Sequence, residues 1–372
     1  MDKERRLAVI AIVVVVGAAV ATFLATPSET TLPIPRPGSG GTTGNNTGAG
    51  VDVLAENLEV PWAIDVASDG RVFFTERAGR IRVIDAEGRL LEEPAAFINV
   101  EQMGESGLLG LALHPDFAQN HLLYIYHTYS NGTEVLNKVL VLTEQDNKIV
   151  ESKVVIDGIP AADRNDGGRI KFGPDGKLYI ATGDARQPDL AQNARSLAGK
   201  ILRINPDGTI PDDNPIDGSP VYSYGHRNIQ GIAWNPVTGE MYASEHGAEG
   251  NDELNLIKPN GNYGWPVEDC DAEQFEKPIA CFEPAVAPAG MAFLESDRLG
   301  YQNDIVMATL KASHLRLVDL EQGIESNILT GYGRIRDVVE AEDGSLYITT
   351  SNRDGRAIPG AGDDKILRLT NQ

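Results

Sequence analysis

The chain has 372 residues, and its 54 acidic against 32 basic side chains give a net charge of −22 at neutral pH. Such a charge repels phosphate backbones and anionic lipid, so the composition argues against nucleic acid as a partner. With 41% hydrophobic residues, the chain can bury one or two ordinary cores.

The N-terminus carries a membrane-targeting pattern. Lys3, Arg5 and Arg6 precede residues 7–25, which contain no charge, and that length is enough to cross a bilayer as a transmembrane helix. An A-x-A-like site at residues 19–21 leaves a cleaved signal peptide as the alternative, although the apolar region of a signal is normally shorter. Because a basic flank stays in the cytoplasm, the remainder is expected outside it, anchored in the cell membrane or secreted after cleavage.

Residues 26–50 are rich in Pro, Gly, Thr and Asn, a composition typical of a flexible tether between residues 1–25 and the folded domain. The only two cysteines, Cys270 and Cys281, lie in one turn-rich segment. Outside the cell this arrangement favours a disulfide over a metal site, because a thiolate site would need more ligands.

From residue 51 onward the chain repeats one unit: a turn with Asp-Gly or Thr-Gly, an alternating apolar strand, a polar loop and a second alternating strand. Its instances begin at Asp69, Asp175, Thr238 and Asp343. The spacings from Asp69 to Asp175 and from Asp175 to Asp343 match two and three steps of a period of roughly fifty residues, so about six units fit. A β-sandwich would not explain this period. We therefore predict an all-β, six-bladed β-propeller over residues 51–372.

Two loops beside predicted strands combine residue types typical of a binding site. The first, residues 223–231, contains Arg227, whose planar fork of donors suits a carboxylate or quinone oxygen, and Asn228, a neutral donor and acceptor. In the second, residues 244–253, Gly247 and Ala248 can turn backbone carbonyl groups toward a cation. Loops at strand ends are where binding groups are usually found.

With the repeat and both loops, the chain resembles the aldose sugar dehydrogenases that depend on pyrroloquinoline quinone (PQQ), the soluble glucose/sorbosone dehydrogenase family of six-bladed propellers. The resemblance implies oxidation of a sugar at the C1 hydroxyl, transfer of hydride to PQQ, a Ca²⁺ ion that polarises the quinone as a Lewis acid, and an external electron acceptor. It rests on Val-Pro-Trp at 60–62, Gly-Leu-Leu-Gly at 107–110, Gly-Gly-Arg-Ile at 167–170, Thr-Gly-Asp at 182–184, Asn-Tyr-Gly-Trp-Pro at 262–266 and Gly-Arg-Ile-Arg-Asp at 333–337.

The resemblance also implies which residues bind the cofactor. Arg227 and Asn228 would hold the quinone end, and Arg227 would also be one of the catalytic residues. Cofactor carboxylates need cationic partners, and these would be Lys311, Arg334 and Arg336. The last two lie two residues apart on a strand, and the alternative is that one of them points to water.

For the metal, the resemblance implies Ca²⁺ bound by the carbonyl oxygens of Gly247 and Ala248, with His246 and Gly247 beside the cofactor. Asp252 could be a neighbour of the ion or part of an ordinary turn. Trp62 and Trp265 are expected to pack between blades rather than to form a platform for sugar.

One position departs from the family pattern. The family's general base is a His two residues ahead of Gly-Gly-Arg, where this chain has Asn165, and an amide cannot accept a proton near neutral pH. The expected carboxylate partner of that base is present as Asp184, and Arg164 stands where a substrate-contacting acid is often found.

Three explanations stay open at this stage. Glu105, Asp163 or Asp166 could act as the base, the enzyme could work slowly on an acidic or activated substrate, or the propeller could bind a sugar or a partner without catalysis. A calcium-dependent sugar-lactone hydrolase is a more distant alternative, because that chemistry needs several convergent side-chain ligands.

Overall fold

The repeated strand units form six four-stranded antiparallel sheets. The computed structural model describes residues 49–267 and 270–371. Each sheet runs outward from an innermost strand, and the six innermost strands contact one another in sequence around a closed ring. The prediction of a six-bladed propeller is therefore confirmed.

The blades follow the chain in order. Blade 1 contains β2 (Pro61–Val66), β3 (Val72–Glu76), β4 (Arg80–Ile84) and β5 (Ala96–Phe97), and blade 2 contains β6 (Leu108–Leu113), β7 (Leu122–Ser130), β8 (Val135–Gln145) and β9 (Lys148–Pro160). Blade 3 contains β10 (Gly167–Phe172), β11 (Leu178–Thr182), β12 (Lys200–Ile204) and β13 (Val221–Tyr224). Blade 4 contains β14 (Ile229–Trp234), β15 (Met241–Glu245), β16 (Asp252–Ile257) and β17 (Ala280–Phe282). Blade 5 contains β18 (Pro288–Phe293), β19 (Ile305–Thr309), β20 (His314–Asp319) and β21 (Ile324–Thr330).

Blade 6 is built from both ends of the described chain. Its three inner strands are β22 (Ile335–Glu340), β23 (Leu346–Thr350) and β24 (Ile366–Asn371), and its outer strand is β1 (Ala49–Ala55). β1 pairs antiparallel with β24. The backbone N–H of Val60 also donates to the Asp364 carboxylate over 3.2 Å. The ring is thus closed by hydrogen bonds within one sheet.

Turns with Asp-Gly or Thr-Gly occupy the same place in four blades, between the innermost strand and the second strand. Asp69, Asp175, Thr238 and Asp343 mark them in blades 1, 3, 4 and 6, so the predicted steps of two and three blades are correct. Blade 2 has a short helix in that position, α1 (Phe117–Asn120), and blade 5 has a single 3₁₀ turn, Asp297–Leu299. Helix is otherwise restricted, in the described residues, to the 3₁₀ turn Pro188–Gln192.

The apolar core lies between the blades. In the largest cluster, side chains of blades 1, 2 and 3 pack together, and Phe73 and Tyr126 in it are fully buried. Burying an aromatic or aliphatic side chain of this size contributes about 1.5–3 kcal/mol. The faces of the sheets are therefore the part of the fold that holds the ring rigid.

Near the ring axis, an ion pair between Arg169 of β10 and Asp337 of β22 joins blades on opposite sides, with 2.5 Å between nitrogen and oxygen. Arg169 also donates to the Gln230 carbonyl, and Asp337 accepts from the backbone N–H of Ile64. Four innermost strands are thereby tied together at the centre.

The predicted disulfide between Cys270 and Cys281 is present. No helix in the described residues is long and apolar enough to span a membrane. Residues 7–25, for which we predict an anchor or a signal, lie outside the described part of the chain, as does most of the predicted tether.

Candidate functional site

One end of the ring carries a cavity of about 380 Å³. In an antiparallel blade, the start of the innermost strand and the end of the second strand lie at the same edge, so the loops at these two places meet around the axis. The wall residues come from those loops and from the first residues of the innermost strands: Arg77, Glu105, Arg164, Asn165, Arg227, Asn228, Gln230, His246, Gly247, Ala248, Ala287, Leu310, Lys311, Arg334, Arg336, Asp354 and Arg356.

The wall is strongly cationic although the protein is strongly acidic. It contains six arginines and one lysine against two carboxylates, Glu105 and Asp354, whereas the whole chain has 32 basic and 54 acidic residues. Charges of one sign that converge in a cleft with protein walls focus the electric field and concentrate counter-ions there. The cavity is therefore suited to a ligand with several negative charges.

Arg334 and Arg336 both face the cavity rather than water, and only 8% and 6% of their surface is exposed. They share one counter-ion, Asp354, whose Oδ2 accepts from Arg334 at 2.7 Å and lies 3.5 Å from Arg336. Burial alone would raise the pKa of Asp354, but Arg336 and Arg334 hold it below its usual value. Burial lowers the pKa of Arg336 to about 10.

Two further arginines on the wall have no carboxylate partner among the residues that the structure describes. Arg227 donates from Nη1 to the His246 carbonyl at 3.1 Å, and its guanidinium lies 5.4 Å from the centre of the Trp265 ring. The Nε atoms of Arg227 and of Arg77 are buried without a hydrogen-bond partner among the described residues. A buried donor left unpaired costs about 1–3 kcal/mol, so both guanidinium groups have hydrogen-bonding capacity that the described residues do not satisfy.

Lys311 also lines the cavity, and its ammonium forms no hydrogen bond or ion pair with the part of the chain that the structure describes. Lys311 is exposed, whereas Arg334 and Arg336 are buried. Its backbone N–H donates to the Val286 carbonyl, which fixes the turn after β19. The three predicted carboxylate partners of the cofactor, Lys311, Arg334 and Arg336, are thus brought together on one wall.

Asn228 and His246 are held against each other beside Arg227. The Asn228 side-chain oxygen accepts from the Gly167 backbone at 3.0 Å, which links the loop to the Gly-Gly-Arg segment. His246 Nε2 lies 2.7 Å from the Pro288 carbonyl, so this nitrogen carries the proton and Nδ1 is left as the acceptor. Burial lowers the pKa of His246, which keeps the ring neutral.

The Gly247-Ala248 turn is braced by Asp252. One oxygen of this carboxylate accepts from the Gly247 backbone, and the other accepts from the backbones of Val286 and Ala287. A Cβ at Gly247 would collide with the Gly250 carbonyl, so the tight turn requires glycine. Since Asp252 does not line the cavity, what this geometry favours is a bracing role, and its predicted place near a metal stays a prediction.

No group of three or more His, Cys, Asp or Glu side chains in the described residues could hold a metal ion. A cation in this cavity would consequently depend on backbone carbonyl oxygens. Gly247 and Ala248 both lie on the wall, and carbonyl oxygens are ligands that Ca²⁺ accepts.

Asn165 lies beside Asp184, as the resemblance implies for the base and its partner. Asn165 Nδ2 donates to Asp184 Oδ1 at 3.0 Å. Asp184 is itself fixed, because Oδ2 accepts from Trp265 Nε1 at 2.8 Å and Oδ1 accepts from the Arg186 backbone at 2.8 Å. Trp265 therefore does more than pack between blades: it orients Asp184 and stacks near Arg227.

The three carboxylates predicted as replacement bases occupy different places. Glu105 is on the cavity wall and bonds Arg356. Asp163 pairs with Arg186 at 3.0 Å outside the cavity lining. Asp166 is buried next to a separate, much smaller cavity, where Oδ2 has no hydrogen-bond partner among the described residues and burial raises its pKa to about 7. Of the three, only Glu105 can reach a ligand directly.

His226 is excluded as a base by its surroundings. The ring is fully buried between Ser223, at 2.8 Å from Nε2, and Glu245, at 2.9 Å from Nδ1, and it stacks on Tyr263. Glu245 also accepts from the Arg227 backbone. His226 therefore helps to set the conformation that presents Arg227.

Four polar wall residues were not predicted from the sequence: Arg77, Gln230, Asp354 and Arg356. Arg77 follows the second strand of blade 1, and Asp354 and Arg356 follow that of blade 6. The equivalent loop of blade 4 was recognised through His246 to Ala248. Applying the repeat to the loops as well as to the strands would have identified three of the four.

Comparison with known proteins agrees with this geometry. Residues 58–359 match the family model described as Glucose / Sorbosone dehydrogenase. An aldose sugar dehydrogenase of Escherichia coli K12 is 31% identical over 340 residues, which cover 83% of this chain and 91% of the relative.

Solved structures show the same fold over the propeller. A putative oxidoreductase (glucose dehydrogenase) of Thermus thermophilus is 42% identical with a TM-score of 0.79, covering 87% of this chain and 100% of that one. The PQQ-bound aldose sugar dehydrogenase of Streptomyces coelicolor is 36% identical with a TM-score of 0.77, covering 87% and 98%. The chain therefore belongs to the glucose/sorbosone dehydrogenase family.

Proposed function

We propose that this protein is a PQQ- and Ca²⁺-dependent dehydrogenase that oxidises an aldose at C1. The observation that carries the proposal is the cavity at the ring's end, where seven cationic side chains face one space. Two of their guanidinium groups have buried donors with no partner among the described residues. PQQ carries several carboxylates, and such a ligand supplies the acceptors that this wall lacks.

The residues present fit the cofactor. Arg334 and Arg336 place their guanidinium groups on the same wall as the ammonium of Lys311, which has no partner among the described residues. Charge-assisted hydrogen bonds from such groups to carboxylates are strong. Arg227 and Asn228, held by His246 and Gly167, would face the quinone end. When bound, PQQ accepts the hydride and Ca²⁺ increases the electrophilic character of the quinone.

The turn at Gly247 and Ala248 is the place we propose for the ion. Its conformation is fixed by the Asp252 brace and not by a cluster of acidic ligands. A preformed set of carbonyl oxygens binds a hard cation without requiring side chains to reorganise. In this proposal Asp252 acts through the loop, and its loss would weaken the ion site indirectly.

Proton removal is the step for which this chain differs. Asn165 is pinned to Asp184 and has no basic atom to offer. On the wall, the side chain with a basic oxygen not fully engaged is Glu105, since Asp354 is committed to Arg334, Arg336 and Ser351. We assign the proton-accepting role to Glu105, which Arg356 holds at the wall by a hydrogen bond.

Asn165 also favours a second candidate, a propeller that binds a sugar or a partner without turning it over. A binding propeller that retains the cofactor site would bind PQQ as tightly as the dehydrogenase. The two candidates then differ only in whether the sugar is oxidised. A location outside the cytoplasm, through residues 7–25, is part of the proposal for either.

The experiment is a titration of the purified full-length protein with PQQ in the presence of Ca²⁺, followed by absorption, and then dye reduction with a panel of aldoses. Binding with turnover supports the dehydrogenase, and binding without turnover supports the second candidate. Arg336→Met should weaken PQQ binding by at least about tenfold, whereas Arg89→Gln, an exposed arginine of blade 1 that is not among the wall residues, is the control. Absence of PQQ binding to the wild type would refute both versions of the cofactor assignment.

A further inference from the structure

The cavity holds more positive charge than the proposed cofactor requires. With Lys311, Arg334 and Arg336 assigned to the cofactor carboxylates and Arg227 to the quinone end, three cationic wall residues have no role toward the cofactor: Arg77, Arg164 and Arg356. The wall has two acids to set against them, and Asp354 is already bound to the arginines of blade 6.

The three arginines differ in how closely a carboxylate approaches them. Arg356 is paired with Glu105. Arg164 lies 3.9 Å from its nearest carboxylate, Asp163, which instead bonds Arg186 at 3.0 Å. Arg77 has no carboxylate within ion-pair distance among the described residues, although its surface is only 8% exposed.

Water can stabilise the charge of Arg164 without a close carboxylate, because half of its side chain is exposed. The same does not hold for Arg77, whose buried Nε has no hydrogen-bond partner among the described residues and whose pKa is lowered by burial. A guanidinium withdrawn from water without a partner is unfavourable unless an acceptor is supplied. Both side chains line the same space as Asn165, where the resemblance puts the reacting hydroxyl.

We propose that the substrate is an anionic aldose, with a carboxylate or phosphate group bound by Arg164 and Arg77. The proposal rests on the proposed function and deepens it by naming the substrate class. In the reaction, C1 gives its hydrogen as hydride to PQQ and the C1 hydroxyl gives its proton to the base, so the two-electron product is the lactone of the same anionic sugar. The anionic group itself is unchanged and serves to orient the ring.

Binding without turnover tests this directly. Methyl glycosides have no free C1 hydroxyl, so methyl glucuronide and methyl glucoside form a matched pair that PQQ-loaded protein cannot oxidise. Calorimetry should show tighter binding of the glucuronide by about 10- to 100-fold, the ratio typical of one or two charge-assisted hydrogen bonds. The advantage should shrink as salt is raised, since Arg164 is accessible to ions.

Variants identify the residues. Arg164→Gln and Arg77→Met should remove most of the preference for the glucuronide and change methyl glucoside binding far less, and Arg89→Gln should change neither. In turnover assays, glucuronate and glucose 6-phosphate compared with glucose distinguish a carboxylate from a phosphate substrate.

The outcomes separate the inference from the function on which it rests. Oxidation of glucose with no preference for either anion overturns the inference and keeps the dehydrogenase. Equal loss of glucuronide and glucoside binding in Arg164→Gln also overturns it, because the arginine would then orient sugars of any charge. Failure of PQQ to bind defeats the proposed function, and failure of the loaded protein to bind any glycoside defeats the inference.

Discussion

Replacing Asn165 with His should restore a general base in a site that already contains its orienting partner. Asn165 Nδ2 and a histidine Nδ1 are both attached to Cγ, so the ring nitrogen would take over the 3.0 Å contact with Asp184 Oδ1. Nε2 would then be left as the proton acceptor. Asp184 needs no rearrangement, because Trp265 and the Arg186 backbone hold it in place.

The size of the effect follows from the role of the base. A positioned general base contributes about 10²- to 10⁴-fold, which is roughly 3–5 kcal/mol of activation free energy at 1.36 kcal/mol per tenfold. This gain is expected in a Glu105→Gln background, where the proposed wild-type base is absent, and a much smaller gain is expected while Glu105 is present. The backbone at residue 165 has φ = 62°, a left-handed conformation that His adopts more readily than most residues. Any strain therefore appears in the stability of the fold rather than in the rate.

The assay is dye reduction by PQQ-loaded protein with a saturating aldose, as a function of pH. Asn165→His should add a limb in which the rate rises with pH as the new imidazole loses its proton, near or somewhat above pH 6.5 because of Asp184. The double variant Asn165→His, Asp184→Asn should lose about 10- to 100-fold of the gain. An unchanged rate in the Glu105→Gln background, or a gain that survives loss of the Asp184 charge, would show that the missing base does not limit turnover.

Three further outcomes are expected. Glu105→Gln should lower the wild-type rate at least about 10²-fold with PQQ affinity changed far less, and an unchanged rate in this dye-reduction assay would remove Glu105 from the mechanism. Burial raises the pKa of Asp166 to about 7, against about 3.9 in the unfolded chain, so the free energy of unfolding should fall by up to about 4 kcal/mol as pH rises from 4 to 7. In urea denaturation, Asp166→Asn should show a weaker dependence of this free energy on pH than the wild type. An identical dependence would contradict the argument from burial. The full-length chain should fractionate with membranes, and a soluble mature form starting near residue 22 would instead identify residues 7–25 as a cleaved signal.

The strands of the propeller were predictable because the Asp-Gly turns recur at one place in the blade. Blades 2 and 5 replace that turn with α1 and a 3₁₀ turn, so their strands carry no such marker and their existence followed only from the period. In particular, β7 to β9 are 9 to 13 residues long, which no short repeat would indicate.

The lining of the cavity was predictable where the residues stand together in one loop, and not where it depends on contacts between loops. Arg227, Asn228 and Gly247 could be read from two short segments. The shared counter-ion Asp354 lies 20 residues beyond Arg334 in the chain, after a strand and a turn, and nothing in its own neighbourhood marks it. Its role appears only when β23 returns the chain to the cavity edge.

For Arg334 and Arg336 the sequence left two alternatives, that both side chains face the cavity or that one of them points to water. Arg334 immediately precedes β22 and Arg336 lies on it, beside a register shift between Ile335 and Asp337, and both side chains line the cavity. Both guanidinium groups are therefore desolvated, an outcome that the alternation of the strand alone does not distinguish from exposure.

The ring cannot close until β24 has been synthesised, because β24 pairs with β1. Val60 and Asp364, which bond across the closing blade, are 304 positions apart, and contacts of such separation form slowly because the loop between them must first be ordered. During synthesis β1 emerges early and has no partner until Ile366–Asn371 has been made. A chain interrupted before β24 would expose two unpaired sheet edges at once, one on β1 and one on β23, and such edges are sites of aggregation.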